Sequence, residues 1–192
     1  MVWKVVTVIT NRHFTASITF YNILHGFQRM VTSSLEAKLI QQLAAMREEV
    51  LYVIFIDLHK ACDDLDRDIC LDILEGYGMG PQAHHILQEY WDRLWMVDHS
   101  GGYYGLAFKG FWGVTQGDPL PTTLLNIVVE AVVRNLILLA ELGSGEKDGW
   151  GREVRHCAGF FYAEYGLVAL TDLVWMQGVF DTLTRLFDRV GL

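Results

Sequence analysis

Five aspartates follow the end of one short apolar segment and are the first candidates for chemistry in this chain. Residues 51–56 are apolar without interruption, and the run ends on Asp57. A β-branched and aromatic run bounded by charge predicts a buried strand, and a carboxylate at its mouth is placed to bind a metal or act as a general base. The alternative is a core strand followed by a solvated, acidic helix start. Four further acids fit either interpretation: Asp63, Asp64, Asp66 and Asp68.

Two other functions are open to the residues around these acids. The aspartates have the ligand chemistry of a calcium loop, but the glycine that an EF-hand loop needs at its sixth position is absent. Lys60 and Arg67 are each compatible with a phosphate contact or with a surface ion pair.

Two later segments place polar residues in tight turns. Gln116-Gly117-Asp118-Pro119 forms a loop ahead of the apolar segment 120–142. Asn126, Glu130 and Arg134 interrupt that segment, which favours a buried helix over a membrane span. Residues 163–165 form a turn between two predicted strands, 156–162 and 166–170, and this turn carries Glu164.

The remaining elements would position these residues within one α+β domain. A capping box at Ser33-x-x-Glu36 starts a predicted helix over residues 34–49. Further helices are predicted over 66–75, from Gly80-Pro81 onward, and over 173–190. Residues 1–10 are interpreted as a strand or a chain remnant. A hairpin is predicted for 103–108 with 111–115, turned at Lys109-Gly110.

Composition limits the class of protein. The chain has 192 residues, 52% of them hydrophobic and only three proline, which predicts a folded domain with its own core. A net charge of −8 counts against a free-standing nucleic-acid binder unless basic residues cluster or a partner supplies them. Three cysteines without CxxC spacing, and an N-terminus without a secretory pattern, predict an intracellular protein with no membrane span and no zinc site.

Taken in order, these segments resemble the palm of a reverse transcriptase of the retrotransposon or group II intron type. The family's first motif, Asp-Leu-x-Lys-Ala-Tyr/Phe-Asp, stands here as residues 57–63, with Arg67 nearby. The second, Gln-Gly-Asp-Pro-Leu-Ser-Pro with a later Phe-Asn, stands as residues 116–122 and 125–126. The third, Tyr-Ala-Asp-Asp, stands as Tyr162-Ala163-Glu164-Tyr165. The likeness covers residues 20–192.

The resemblance implies an RNA-directed DNA polymerase that works by two-metal nucleotidyl transfer. It implies Mg²⁺ as cofactor, and an RNA template, a DNA primer and dNTPs as partners. Asp57 then corresponds to the bridging metal ligand, Glu164 to a second ligand, and Tyr165 to the third ligand position. Cys62 corresponds to the residue beneath the sugar of the incoming nucleotide. The loop that binds nucleotide and template corresponds to Gln116, Gly117, Asp118 and Pro119.

Three of these positions depart from the family pattern. Glu164 is one methylene longer than aspartate, and a misplacement of about 1 Å in a pre-organised site can lower a rate on the order of a hundredfold. Tyr165 supplies an uncharged phenol, a weak ligand for magnesium. Cys62 is smaller than the usual aromatic residue, so discrimination against ribonucleotides is expected to weaken. The expected polymerase activity is therefore weak or absent.

The resemblance also implies a division of the chain into partial fingers, residues 1–50, and a palm, residues 51–192. The palm would be an antiparallel sheet with helices on one face and no thumb, so a separate thumb or partner chain is expected. Nucleic-acid affinity is expected to be weak at a net charge of −8. Two alternatives stay open: a non-catalytic retroelement fragment that at most binds a partner, and an unrelated α+β metal-dependent domain.

Overall fold

The computed structural model describes residues 7–12, 14, 38, 41–42, 45, 50–115, 119–143, 157–162, 164–170 and 172–192. From residue 52 onward the strands are β1 (Tyr52–Asp57), β2 (Trp95–Ser100), β3 (Tyr103–Lys109), β4 (Cys157–Tyr162) and β5 (Tyr165–Leu170). The helices are α1 (Ala61–Asp64), α2 (Arg67–Gly76), α3 (Pro81–Asp92), α4 (Pro119–Gly143) and α5 (Leu173–Arg189). Helices mixed with antiparallel strands confirm the predicted α+β class.

The main sheet has three antiparallel strands in the order β1-β5-β4. Alternate residues of β1 are partly buried, and those between them are exposed, because a strand turns successive side chains to opposite faces. The inward face includes Ile54, Phe161 and Val168, which belong to or pack against the core. Helix α5 lies against this face, where the rings of Phe161 and Phe187 are 6.3 Å apart. One face of the sheet is therefore covered by helices.

Helix α4 forms the centre of the core. Its described side chains from Leu120 to Val133 are mostly buried, and α1, α2 and α5 all contact it. Asn126 and Glu130, which interrupt its apolar sequence, are buried, and Glu130 Oε1 accepts from Arg134 Nε at 2.7 Å. The prediction of a buried helix is confirmed. Within the described ranges, no helix has the length and apolar character needed to cross a membrane.

The prediction of a strand at residues 1–10 is wrong where the structure describes that segment. Residues 7–12 and 14 are helical. Thr7 and Phe14, seven residues apart and therefore on one helix face, are both buried, and Asn11 Oδ1 accepts a hydrogen bond from Thr123 Oγ1 of α4. Packing against α4 outweighs the β-propensity of the Val-rich sequence, which depends strongly on context.

Little of the predicted helix over 34–49 falls in the described part of the chain. Lys38, Gln41, Gln42 and Ala45 are helical and exposed, and the rest of that segment lies outside the described residues. The division into residues 1–50 and 51–192 stays a prediction.

The predicted hairpin has the wrong partner strand. Residues 103–109 form β3, but they pair with β2 across Gly101-Gly102, and residues 111–115 are not a strand. Both glycines have positive φ, 59° and 85°, and a two-residue Gly-Gly turn of this kind matches the twist of a hairpin. Residues 110–115 instead follow an irregular path. Hydrogen bonds to Arg67 of α2, and to the backbone carbonyl groups of Cys62 and Leu65 ahead of α2, hold this path in place.

Candidate active site

The first and third motifs meet at one end of the main sheet. β1 and β5 are antiparallel in a register that places Asp57 directly opposite Tyr165. Opposite residues of such a pair project to the same face, with Cβ atoms about 4.5–5.5 Å apart. Glu164 lies in the turn just before β5, and its carbonyl oxygen accepts from the backbone N–H of Leu58 at 2.9 Å. The structure therefore brings Asp57, Glu164 and Tyr165 together.

The alternation of β1 decides which way Asp57 points. Tyr52, Ile54 and Ile56 pack on the core, so Phe55 and Asp57 fall on the open face of the sheet, where both are exposed. Gly166, the second residue of β5, lies opposite Phe161 of β4. A Cβ there would lie 2.5 Å from the ring of Phe161, so only glycine lets that buried ring pack beneath the strand.

Cys62 lies within electrostatic reach of the third motif. Its side chain is half-buried at the second position of α1. Burial is the main cause that raises the pKa of the Cys62 thiol, and the negative charges of Glu164 and Asp63 raise it further. The thiol is therefore held in its protonated, weakly nucleophilic form at neutral pH. The carboxylate of Glu164 is thus close enough to influence the thiol electrostatically.

Alkylation of Cys62 tests this proximity in solution. We expect the pH midpoint of its reaction with iodoacetamide, followed by mass spectrometry of its peptide, to lie above that of cysteine in an unstructured peptide. Glu164→Gln should lower the midpoint, because it removes one of the charges that favour the protonated thiol. Glu75→Gln, an exposed site on α2, is the matched control and should change nothing. An unchanged midpoint in Glu164→Gln would place that carboxylate away from Cys62.

Arg67 is not the surface ion-pair partner that one of its two predicted roles requires. It is 8% exposed and donates to three backbone carbonyl groups. Nε bonds Gly113 O at 2.7 Å, Nη1 bonds Gly110 O at 2.7 Å, and Nη2 bonds Trp112 O at 3.0 Å. The guanidinium also lies 5.7 Å from the ring centre of Trp91. Desolvation lowers the pKa of Arg67 from its ordinary value, and the side chain acts as a structural clamp on residues 110–113.

The same segment is bonded to the chain that follows Asp57. Val114 N donates to Cys62 O at 2.6 Å, and Gly113 N donates to Leu65 O at 3.0 Å. Thr115 Oγ1 and the Tyr90 hydroxyl are 2.7 Å apart. Thr115, just before Gln116, is thereby tied to α3, and Val114 is bonded to the first motif. Gly113 is bonded two residues beyond the end of that motif.

Gly113 makes this close approach possible, and its substitution should be costly. It has φ of +71°, and a Cβ there would lie 2.7 Å from both Asp63 C and Cys62 O. Left-handed backbone costs an alanine about 1–2 kcal/mol, and overpacking adds about 1–3 kcal/mol. We expect Gly113→Ala to lower the free energy of unfolding by about 2–5 kcal/mol, as measured by urea denaturation.

Gly78→Ala is the matched control for Gly113→Ala. Gly78 has φ of +89°, but a Cβ there would meet nothing within 4 Å, so only the backbone term applies. Equal losses in the two variants would contradict the packing of Gly113 against the first motif.

The second motif lies largely outside the described residues. Gln116, Gly117 and Asp118 are not among them, so their predicted roles stay predictions. Pro119 is the first residue of α4, and Leu120 beside it is fully buried.

Of the acids after Asp57, Asp66 is a helix cap: its Oδ1 accepts from the N–H groups of Asp68 and Ile69 at 2.9 and 3.2 Å. Among the described side chains, no group of three or more His, Cys, Asp or Glu residues is arranged to hold a metal.

Comparison of the sequence with known proteins gives one partial match. No protein-family model matches the chain. Over 110 residues the chain is 30% identical to the retrovirus-related Pol polyprotein from type-1 retrotransposable element R2 of Nasonia vitripennis. That match covers 54% of this chain and 10% of the relative.

Three solved telomerase structures are similar in fold. Telomerase from Candida albicans, in complex with a TWJ fragment of telomeric RNA, matches 97% of this chain at a TM-score of 0.62 and 14% identity. Apo telomerase from Candida tropicalis, truncated from its C-terminal domain, matches 92% at 0.59 and 12%. The Candida tropicalis telomerase in complex with a TWJ fragment of telomeric RNA matches 94% at 0.62 and 12%.

These similarities show a fold shared with the three telomerase structures and a partial sequence likeness to a retrotransposon Pol polyprotein. The chain spans about a tenth of the retrotransposon protein and about a third of each telomerase chain: 32%, 35% and 31%.

Proposed function

We propose that the chain is the palm, with part of the fingers, of a retrotransposon-type RNA-directed DNA polymerase whose nucleotidyl transfer is impaired. The observation that carries the proposal is the pairing of Asp57 with Tyr165 across β1 and β5, with Glu164 bonded through its carbonyl group to Leu58. Residues of the first and third motifs, 107 positions apart in sequence (164 − 57), occupy one end of one sheet. A polymerase site needs this convergence of carboxylates from neighbouring strands.

The donor atoms fit magnesium in part. Asp57 and Glu164 supply the hard oxygen ligands that Mg²⁺ takes, and bound water completes such sites. When bound, magnesium would supply charge neutralisation and activation of the attacking hydroxyl. Tyr165, which is 55% exposed, offers only an uncharged phenol at the third position. The two carboxylates are therefore better suited to one weakly bound magnesium ion than to a pair of ions.

Impairment follows from the same residues. The longer side chain of Glu164 displaces its carboxylate, and a displacement of about 1 Å can cost on the order of a hundredfold in rate. Tyr165 in place of the third carboxylate removes one negatively charged oxygen ligand from the site.

The substrate side of the proposal rests on Cys62 and on the loop of the second motif. Cys62 is half-buried and within electrostatic reach of Glu164, and it would contact the sugar of an incoming dNTP. Gln116, Gly117, Asp118 and Pro119 would bind nucleotide and template. The chain leading into that loop is bonded to Cys62 O, which supports a place beside the site.

The partners follow from the class of reaction. An RNA template and a DNA primer would lie across the open face of the sheet, inside the cell, with a separate thumb or partner chain to hold them. At a net charge of −8 the domain alone should bind them weakly, because phosphate contacts require clustered basic residues.

Primer extension tests the proposal. On an RNA template with a DNA primer, dNTPs and Mg²⁺, we expect wild-type synthesis at or near the level of Asp57→Asn. Asp98→Asn, the same change on the exposed β2 strand, is the control and should equal wild type. Sustained DNA synthesis by the wild type that Asp57→Asn abolishes would disprove the impairment. Synthesis that survives Asp57→Asn would disprove the assigned site.

A further inference from the structure

The β2–β3 hairpin carries an unusual amount of exposed apolar surface. Leu106 is 93% exposed, Tyr103 83% and Tyr104 77%. A soluble monomer exposes single apolar residues freely, but Tyr104, Leu106 and Phe108 alternate along β3 and share one face, and an apolar group on one face marks an interaction surface. The exposed large apolar residues of the hairpin are Trp95, Val97, Tyr103, Tyr104, Leu106 and Phe108.

The free edge of β3 lacks the devices that normally prevent strand pairing. In the described part of the chain, β2 and β3 pair only with each other, and a two-stranded ribbon is marginally stable unless further strands or a packed face support it. Edge strands are usually protected by charge or proline. Residues 103–108 contain neither, and Lys109 at the end of β3 is already paired with Asp92 at 3.1 Å.

We propose that β3 pairs with β3 of a second copy of this chain, antiparallel and centred on Leu106, to form a four-stranded sheet across a twofold axis. In this register Leu106 faces its own equivalent, Tyr104 faces Phe108 of the second copy, and Tyr103 faces Lys109 of the second copy. The pair of Tyr104 with Phe108 is aromatic, and aromatic pairs stabilise cross-strand contacts. No like charges meet, so the edge is complementary to itself.

The charges of the hairpin favour a second copy over a nucleic acid. Its formal charges are Asp98 and Lys109, which cancel, so two hairpins approach without net repulsion. A nucleic-acid surface that stacks bases on aromatic rings also needs a basic groove along the backbone. Here the single lysine of the hairpin is bound to an aspartate. This dimer does not depend on the proposed polymerase function.

Sedimentation over a concentration series tests the proposal with a matched pair of variants. We expect wild type to reach twice the 21.9 kDa mass of the chain. Leu106→Lys should stay monomeric, because it would place two lysines opposite each other, and its high exposure means that the core is untouched. Val174→Lys, the same kind of change at a residue of α5 that is 84% exposed, should still dimerise. Thermal unfolding of both variants verifies that they fold.

Disulfide cross-linking tests the register. Opposite residues in antiparallel strands have Cα atoms about 4.5–5.5 Å apart, within the range that a disulfide bridges. Leu106→Cys should therefore cross-link to a dimer under copper phenanthroline and oxygen. Tyr103→Cys should not, because its equivalent would lie six residues further along the strand, about 20 Å away. A wild type that is monomeric at all concentrations, or a dimer that survives Leu106→Lys, overturns the proposal. Single-stranded RNA binding by monomeric wild type that Leu106→Lys abolishes would assign the surface to nucleic acid and also overturn it.

Discussion

Arg67→Met should lower the free energy of unfolding by about 3–5 kcal/mol, as measured by urea denaturation. Arg67 is the single donor group that satisfies the carbonyl oxygens of Gly110, Trp112 and Gly113 in the bonds described above. Hydrogen bonds from a charged donor are worth about 1.5–3 kcal/mol each, and buried acceptors left without a donor cost about 1–3 kcal/mol. Methionine keeps most of the apolar stem of the side chain, so the loss of stability measures the contribution of the guanidinium group. For a domain with a total stability of about 5–15 kcal/mol, the effect is large.

Two further variants separate the clamp from an ordinary surface arginine. Arg67→Lys keeps the charge but not the planar fork that reaches three acceptors, so it should recover less than half of the loss. Arg185→Met removes an exposed arginine of α5 and should change stability by no more than about 0.5 kcal/mol. A loss below about 1 kcal/mol in Arg67→Met would show that residues 110–113 do not depend on this side chain.

The position of Arg67 was visible in the sequence, although its role was not. Residues 67, 70, 71 and 74 follow the helical spacing of one buried face, and three of them are Cys70, Leu71 and Leu74. The remaining residue of this face is an arginine, and an arginine on a buried helix face indicates a buried charge with its own hydrogen-bond acceptors. Those acceptors lie 43–46 residues away and belong to no regular element, so local pattern cannot identify them.

Most of the main elements were predictable because their signals are local. The strand ending at Asp57, the long helix after Pro119 and the last helix all follow from hydrophobic runs, caps and glycines. The N-terminal helix and the partner of β3 were not. The first depends on packing against Thr123 of α4. The second depends on a choice between a Gly-Gly turn and a Lys-Gly turn, one on each side of β3, and both are turn signals in the sequence.

The candidate site was predicted by motif, and its geometry required the fold. The sequence alone places Asp57 at a strand end and Glu164 in a turn, but not in register with each other. The pairing of β1 with β5 supplies that register. The Glu164 charge also helps to raise the pKa of the Cys62 thiol, an electrostatic link between the first and third motifs that no motif encodes.

The double change Glu164→Asp with Tyr165→Asp should strengthen metal binding by at least about tenfold. It shortens one ligand by a methylene and replaces a phenol by a carboxylate directly opposite Asp57. Tenfold in affinity corresponds to about 1.4 kcal/mol, a modest value for one added charged oxygen ligand. The metal affinity does not require template, primer or a thumb, so it isolates the site from the rest of the polymerase.

The most direct measurement is a titration with Mn²⁺, a magnesium substitute observed by electron paramagnetic resonance, on three proteins. We predict weak binding by wild type, binding at least about tenfold tighter by the double variant, and loss of that gain when Asp57→Asn is added to it. Equal affinities in wild type and double variant, or a gain that persists without the Asp57 carboxylate, would contradict a metal site at the paired ends of β1 and β5.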